Sequence, residues 1–170
     1  MKPVRRVVTG HREGKAVVLF DSAAPNRKLR QASGLVSTLL WVTEETPADI
    51  SGSADCAARE IGVPPPPNGT IFRVVDFPPE SGTRSREAVL KEMGVADHGG
   101  ARHTGMHRTR SIDYAVVLEG EIDMLLDDSE VHLGACDVLV QQETNHAWVN
   151  RGEVPCRIAF VLIDARKIAA

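Results

Sequence analysis

The sequence has little of the chemistry that marks several large protein classes. It carries three cysteines, Cys56, Cys136 and Cys156, an odd number with no CxxC spacing. That argues against a disulfide framework and a thiolate zinc site, and it fits a reducing, cytoplasmic setting. No apolar run approaches the roughly 20 residues that span a bilayer. The opening Met1-Lys2-Pro3-Val4-Arg5-Arg6 has a basic flank with no apolar stretch behind it, unlike a secretory leader. A net charge of only -3 gives no field that would draw the chain to nucleic acid or an anionic membrane. Internal repeats are missing, and the only low-complexity tract is Pro64-Pro65-Pro66-Pro67, a stiff spacer ending in Asn68-Gly69. What remains is an ordinary globular composition, 42% hydrophobic and 25% charged, in 170 residues, enough for one domain with a core.

The pattern is that of an all-β chain with one short helix. Val4–Thr9 and Lys15–Phe20 are β-branched runs that read as a hairpin, and Leu35–Thr43 and Ile71–Phe77 are further strands. Ser85 is placed to cap a helix through Met93, with Gly94 ending it. After His98-Gly99-Gly100, short strands follow closely at about Asp113–Leu118, Glu121–Leu126, Glu130–Leu133, Asp137–Val140, His146–Asn150 and Cys156–Ile163. Many short strands punctuated by turns predict a sandwich or jelly-roll barrel. Residues 1–69 are expected to pack as N-terminal strands and a Pro-rich loop on a barrel of residues 70–170, in one structural domain. Cys136 and Cys156 adjoin strands and are read as buried, inert thiols.

Two segments carry the chemistry. His107-Arg108-Thr109 precedes the strand Asp113 to Leu118 and Gly120, and Asp137 to Val140 precedes Thr144-Asn145-His146-Ala147-Trp148-Val149-Asn150. Strand alternation points His107 and Thr109 inward together, and Trp148 inward with His146. His107, His146 and Asp113 would make a two-histidine, one-carboxylate metal site if barrel closure joins them. The competing reading is a metal-free pocket in which these three hydrogen-bond one another. Thr109 and Gln141 are candidates to orient substrate, and Trp148 to stack on it. Arg73, alone in an apolar strand, is either buried against an anion or an edge residue facing water. Tyr114 is out of phase with Asp113 and points to a second sheet or a subunit contact. His11, His98, His103 and His132 read as solvated, Asp127-Asp128 as a turn, and Arg102, Arg108 and Arg110 as a solvated face or a steering cluster.

From His107 to Ile163 the chain resembles a cupin, the small double-stranded β-helix barrel. His107, Asp113 and Gly120 fit the first family motif, with Thr109 and Asp113 where a second histidine and a glutamate would stand. His146 and Asn150 fit the second motif, in which Cys136 and Glu143 replace turn glycines. Residues 70–165 are also similar to a single-domain subfamily of bacteria and fungi, through Phe72-Arg73, Phe77-Pro78-Pro79, Asp113-Tyr114, Gln141 and the Thr144 to Trp148 run. The resemblance implies a small-molecule enzyme of oxygenase, dehydratase, isomerase or decarboxylase type. Its cofactor would be one divalent ion, iron, manganese, nickel or zinc, on His107, Asp113 and His146. The alternatives are a metal-free enzyme with His146 or His107 as general base, and a non-catalytic binding or sensory barrel. A homodimer is expected, with the N-terminal hairpin offering an edge to the partner chain.

Overall fold

Alternation of buried and exposed residues runs along the longest strands, as a sheet with one wet face requires. In the computed structural model, which describes residues 1–82, 84–97 and 102–166, the strands fall into three sheets. The largest has the order β3 (Arg27–Leu29), β4 (Val36–Thr43), β5 (Thr70–Phe77), β11 (Cys156–Asp164), β6 (Ser111–Glu119), β9 (Val138–Gln142). Facing it is a three-stranded sheet of β10 (Ala147–Val149), β7 (Glu121–Leu125) and β8 (Glu130–Gly134). All pairings are antiparallel, and the core between the sheets holds Ile71, Val75, Phe77, Val117, Ile122, Leu133, Ile158, Phe160 and Leu162. This is the expected jelly-roll barrel, and β3 and β4 are N-terminal strands that widen its main sheet.

The hairpin of β1 (Arg5–Arg12) and β2 (Lys15–Ala23) forms a two-stranded sheet of its own. Its turn is only Glu13-Gly14, both at positive φ (52° and 75°), the backbone of a two-residue type I′ turn. Side chains rather than a strand ladder tie it to the barrel. Arg6, buried, makes a two-pronged ion pair with Asp55 (2.7 and 2.6 Å) and donates to the Leu40 carbonyl at 3.0 Å. Arg157 grips Asp76 (2.6 and 2.9 Å) and reaches the Lys2 carbonyl. From Arg73 onward both faces of β5 are therefore covered, which explains why Val74 and Asp76 are buried as well as Arg73 and Val75, whereas Phe72 stays exposed.

The helix α1 (Arg86–Met93) forms where its caps predict: Ser85 accepts from the Ala88 amide and Gly94 takes the left-handed conformation, φ 72°. It buries Val89 and Leu90 against the mouth of the barrel, and the Val63 amide bonds to the Met93 carbonyl. Across the sheet's outer face Phe72, Val161, Tyr114 and Val140 lie in register, and Phe72, Tyr114 and Val140 are exposed. Cys156 is buried as expected, whereas Cys136 is exposed, because it sits in a turn rather than on a strand. His98 lies outside the described residues. Among the described residues no helix is long and apolar enough to cross a membrane.

The turn positions where glycine is replaced keep glycine's backbone. Cys136 has φ 76° and Glu143 φ 51°. A side chain there costs about 1 kcal/mol relative to glycine. Cys136→Gly is therefore expected to raise stability by about 1 kcal/mol, a melting-temperature gain of about 2–4 °C by calorimetry. An unchanged or lower melting temperature would show that the turn is not strained.

Candidate functional site

Two chain segments meet at the barrel wall through a reciprocal backbone pair: His107 N–H donates to the His146 carbonyl and His146 N–H to the His107 carbonyl, both at 2.9 Å. Directly opposed residues of an antiparallel pair project to the same face. The two imidazoles consequently lie side by side, ring centroids 4.3 Å apart. Each is pinned by the same local device. The Nδ1 of His107 lies 2.8 Å from the Gly105 carbonyl, and the Nδ1 of His146 lies 3.0 Å from the Thr144 carbonyl. A carbonyl only accepts, so each Nδ1 bears the proton and each Nε2 keeps its lone pair. No hydrogen bond from the described residues reaches either Nε2. Burial holds both rings neutral: His146 is pushed down to about 3, His107 beside it adding to the effect, and His107 is lowered too, with the Arg86 charge adding to burial.

The rings face a cavity of about 110 Å³ lined by Trp148, Phe77, Phe160, Leu35, Val75 and Leu162, with Arg73, Arg84, Asp113 and His103 as polar elements. Trp148 meets His146 edge to face (6.1 Å, 82°) and Phe160 likewise (5.5 Å, 73°). The volume is near that of a roughly 150 Å³ apolar cavity that accepts one benzene ring. Helix α1 and the segment 103–105 form the mouth, where Val89, Met93, Thr104 and Gly105 also line the space.

Of the residues singled out from sequence, His107, His146, Asp113, Trp148 and Arg73 come together on this cavity. Thr109 and Gln141 are buried but stand behind the wall rather than on it. Gln141 acts through Asp113, donating to its Oδ2 at 3.0 Å across the β6–β9 ladder. Among the described residues, Asp113 Oδ1 and the buried hydroxyls of Thr109 and Ser111 lack a hydrogen bond of good geometry. Burial raises the Asp113 carboxyl to about 6, and the nearby Ser111 hydroxyl and Arg73 charge, which favour the ionised form, offset it only in part. Arg73 is 5% exposed, which overturns the water-facing reading: β5 is flanked by β4 and β11 and is no edge.

Several elements escaped the sequence reading. His103, read as solvated, lines the cavity and bonds Glu80 at 2.6 Å, while His11 and His132 are exposed as expected. Arg86 holds the approach to His107 by donating to the carbonyls of His103, Thr104 and Met106, and pairs with Asp97. Arg102 and Arg110 pair with Glu130 and Asp164 at the surface, and neither they nor Arg108 lines the cavity. The only signal that could have found Arg86 is its place directly after the helix cap. Asn150, by contrast, is a turn fastener: its Nδ2 donates to the carbonyls of Phe77 (2.9 Å) and Val154 (2.8 Å), and its Oδ1 accepts from Gly152.

The two imidazoles fit a divalent ion as nitrogen ligands, since a backbone carbonyl fixes each tautomer and frees each Nε2. Asp113 shares their cavity but is engaged by Gln141. Among the described residues no three His, Cys, Asp or Glu side chains are gathered as a metal site requires.

No family model matches the chain. A cupin-domain-containing oxidoreductase of Neurospora crassa is 29% identical, over 99% of this chain and 79% of its own length. Phomopsin biosynthesis cluster protein C′ of Diaporthe leptostromiformis is 32% identical, over 99% and 82%. Among solved structures, the Schizosaccharomyces pombe Cnp3 cupin domain superposes with a TM-score of 0.50 at 11% identity, over 94% of this chain and 87% of that one, a likeness of fold.

Holding His146 neutral has a consequence for acid stability. Its folded value, about 3, lies below its ordinary 6.5. The stability this contributes is present above pH 6.5 and lost as pH falls toward 3. Asp113 runs oppositely, its contribution full below 3.8 and lost as pH rises through about 6. Between pH 7 and 5 the melting temperature of metal-free protein is expected to fall, Asp113 offsetting part of the loss. His146→Gln should flatten that slope in scanning calorimetry. An unaltered slope would show that His146 is not held neutral by the fold.

Proposed function

The chain belongs to the cupin superfamily, and we propose that it is a small-molecule enzyme of the oxidoreductase kind. In this reading the reaction takes place inside the barrel, with one divalent ion on His107 and His146. One observation carries the reading: two adjacent, neutral imidazoles, each tied at Nδ1 and free at Nε2, on the wall of an apolar cavity. Relatives named cupin-domain-containing oxidoreductases, and others named for biosynthesis clusters, support the enzymatic class. Iron, manganese, nickel and zinc all accept imidazole nitrogen. When bound, such an ion supplies Lewis acidity or a site for dioxygen.

The rest of the work falls to the chain. Trp148, Phe77 and Phe160 hold the apolar body of the substrate and exclude water. Asp113, whose Oδ1 has no partner among the described residues and whose carboxyl burial pushes up to about 6, can take up or release a proton close to neutral pH. That property also favours a second, metal-free reading with Asp113 as the base. His146 is poorly suited to that role, because a ring titrating near 3 has little affinity for a proton at pH 7.

We also propose a homodimer joined through the exposed apolar row of Phe72, Tyr114 and Val140 on the outer sheet face, for which light scattering should give twice 18.4 kDa.

Calorimetric titration with Fe(II) or Mn(II) distinguishes the readings. Wild-type protein is expected to bind one equivalent, weakly enough to be stripped by dialysis against a chelator, since only two protein ligands hold it. His107→Ala and His146→Ala should abolish binding, and Asp113→Asn should leave it largely intact. Turnover without metal that is lost in Asp113→Asn and kept in His146→Ala would establish the second reading instead. Full turnover in all three variants would sink both.

A further inference from the structure

Arginine placement separates structural from available guanidinium groups in this chain. Arg6 and Arg157, where they fasten the N-terminal segment, each grip a carboxylate with two hydrogen bonds. Arg73 is as deeply buried as Arg6, yet no carboxylate among the described residues reaches it. Its Nη2 donates to the Gly62 carbonyl at 2.6 Å, while its Nε, like that of Arg6, is buried with no partner among the described residues, so that the missing carboxylate is what sets Arg73 apart. Arg30 is near enough to repel it and Asp113 to attract it. A buried guanidinium left in this state is costly unless something completes it. Arg84, half-buried, lines the same cavity, and no hydrogen bond joins it to the described residues.

We propose that Arg73 and Arg84 form a carboxylate-binding subsite, so that the substrate is a small monocarboxylate of about one ring in size. Its apolar body would lie against Trp148, Phe77 and Phe160, and its carboxylate would meet the two guanidinium groups. The proposal rests on reading the cavity as a small-molecule site and narrows that reading to a substrate class. The planar, two-oxygen carboxylate matches the guanidinium fork. The 110 Å³ volume and aromatic lining suit one ring better than a hydrated polyanion.

The test uses full-length, chelator-treated protein, so that no metal contributes, and compares benzoate, benzamide and inorganic phosphate by calorimetry. Benzoate is expected to bind about tenfold or more tightly than benzamide, the difference a charge-assisted hydrogen bond supplies. Arg73→Gln and Arg84→Gln should each shrink that advantage and leave benzamide affinity unchanged. Should Arg73→Gln fail to fold, the wild-type ratio and Arg84→Gln decide the matter, since Arg84 is only half-buried. Equal affinities for benzoate and benzamide would overturn the subsite and leave the small-molecule reading standing. Binding of neither ring would overturn both, and tighter binding of phosphate than benzoate would replace the carboxylate with a phosphate.

Discussion

Two backbone hydrogen bonds between His107 and His146 are the constraint on which the site depends. They join segments far apart in sequence at a single opposed pair, and that pair alone sets the rings 4.3 Å apart. A slip of one residue would put the two imidazoles on opposite faces of the wall and take one of them away from the cavity. The neighbouring contacts serve the same register. Arg86 fixes the carbonyls of residues 103, 104 and 106 on one side, while β10 pairs with β7 on the other, Ala147 opposite Leu125 and Trp148 opposite Met124. The chemistry of the rings is thus a consequence of backbone pairing, and the Gly105 and Thr144 carbonyls then settle the tautomers.

Local signals in the sequence were reliable wherever local physics decides the outcome. Ser85 and Gly94 bracket the helix because capping is a matter of a few residues, and the alternating run from Asp113 to Leu118 could bury one face only as a strand. Asn150 was legible as part of a motif, though its role, fastening the Phe77 carbonyl to the Val154 turn, belongs to the fold. β3 was missed because three exposed residues, Arg27 to Leu29, carry no periodicity; only β4 makes them a strand. The hairpin itself was legible, but its β-branched residues predict strands and not partners, and what fixes it on the fold is Arg6 reaching Asp55.

Site residues divide along the same line. His107, His146, Asp113 and Trp148 follow from strand parity, and parity holds once the strands exist, whereas Arg73 is settled only by the place of β5 between β4 and β11. Thr109 and Gln141 have the parity but not the depth: they are buried within the wall, and Gln141 communicates with the cavity only through Asp113. His103, Arg84 and Arg86 arrive from the helix and the segments beside it, where no alternation predicts orientation. Cys136 was read as buried from its neighbours, yet a turn at φ 76° faces it outward.

Electrostatics ties these groups into one arrangement. Burial and nearby positive charge, Arg86 in the case of His107, both disfavour protonated imidazole, so the rings stay neutral without any carboxylate to orient them. Neither Arg73 nor Arg84 makes an ion pair with a carboxylate among the described residues, although Asp113 lies near enough to Arg73 to attract it. In the proposed metal reading, the guanidinium groups and an ion on the two imidazole nitrogens would together be complementary to an anion that also carries electron-pair donors. Two protein ligands leave more of an ion's coordination positions open to such a substrate than three would. In that reading, Thr109 in place of a second histidine and the engagement of Asp113 by Gln141 would weaken the hold on an ion, and substrate binding would bear a larger share in completing the site.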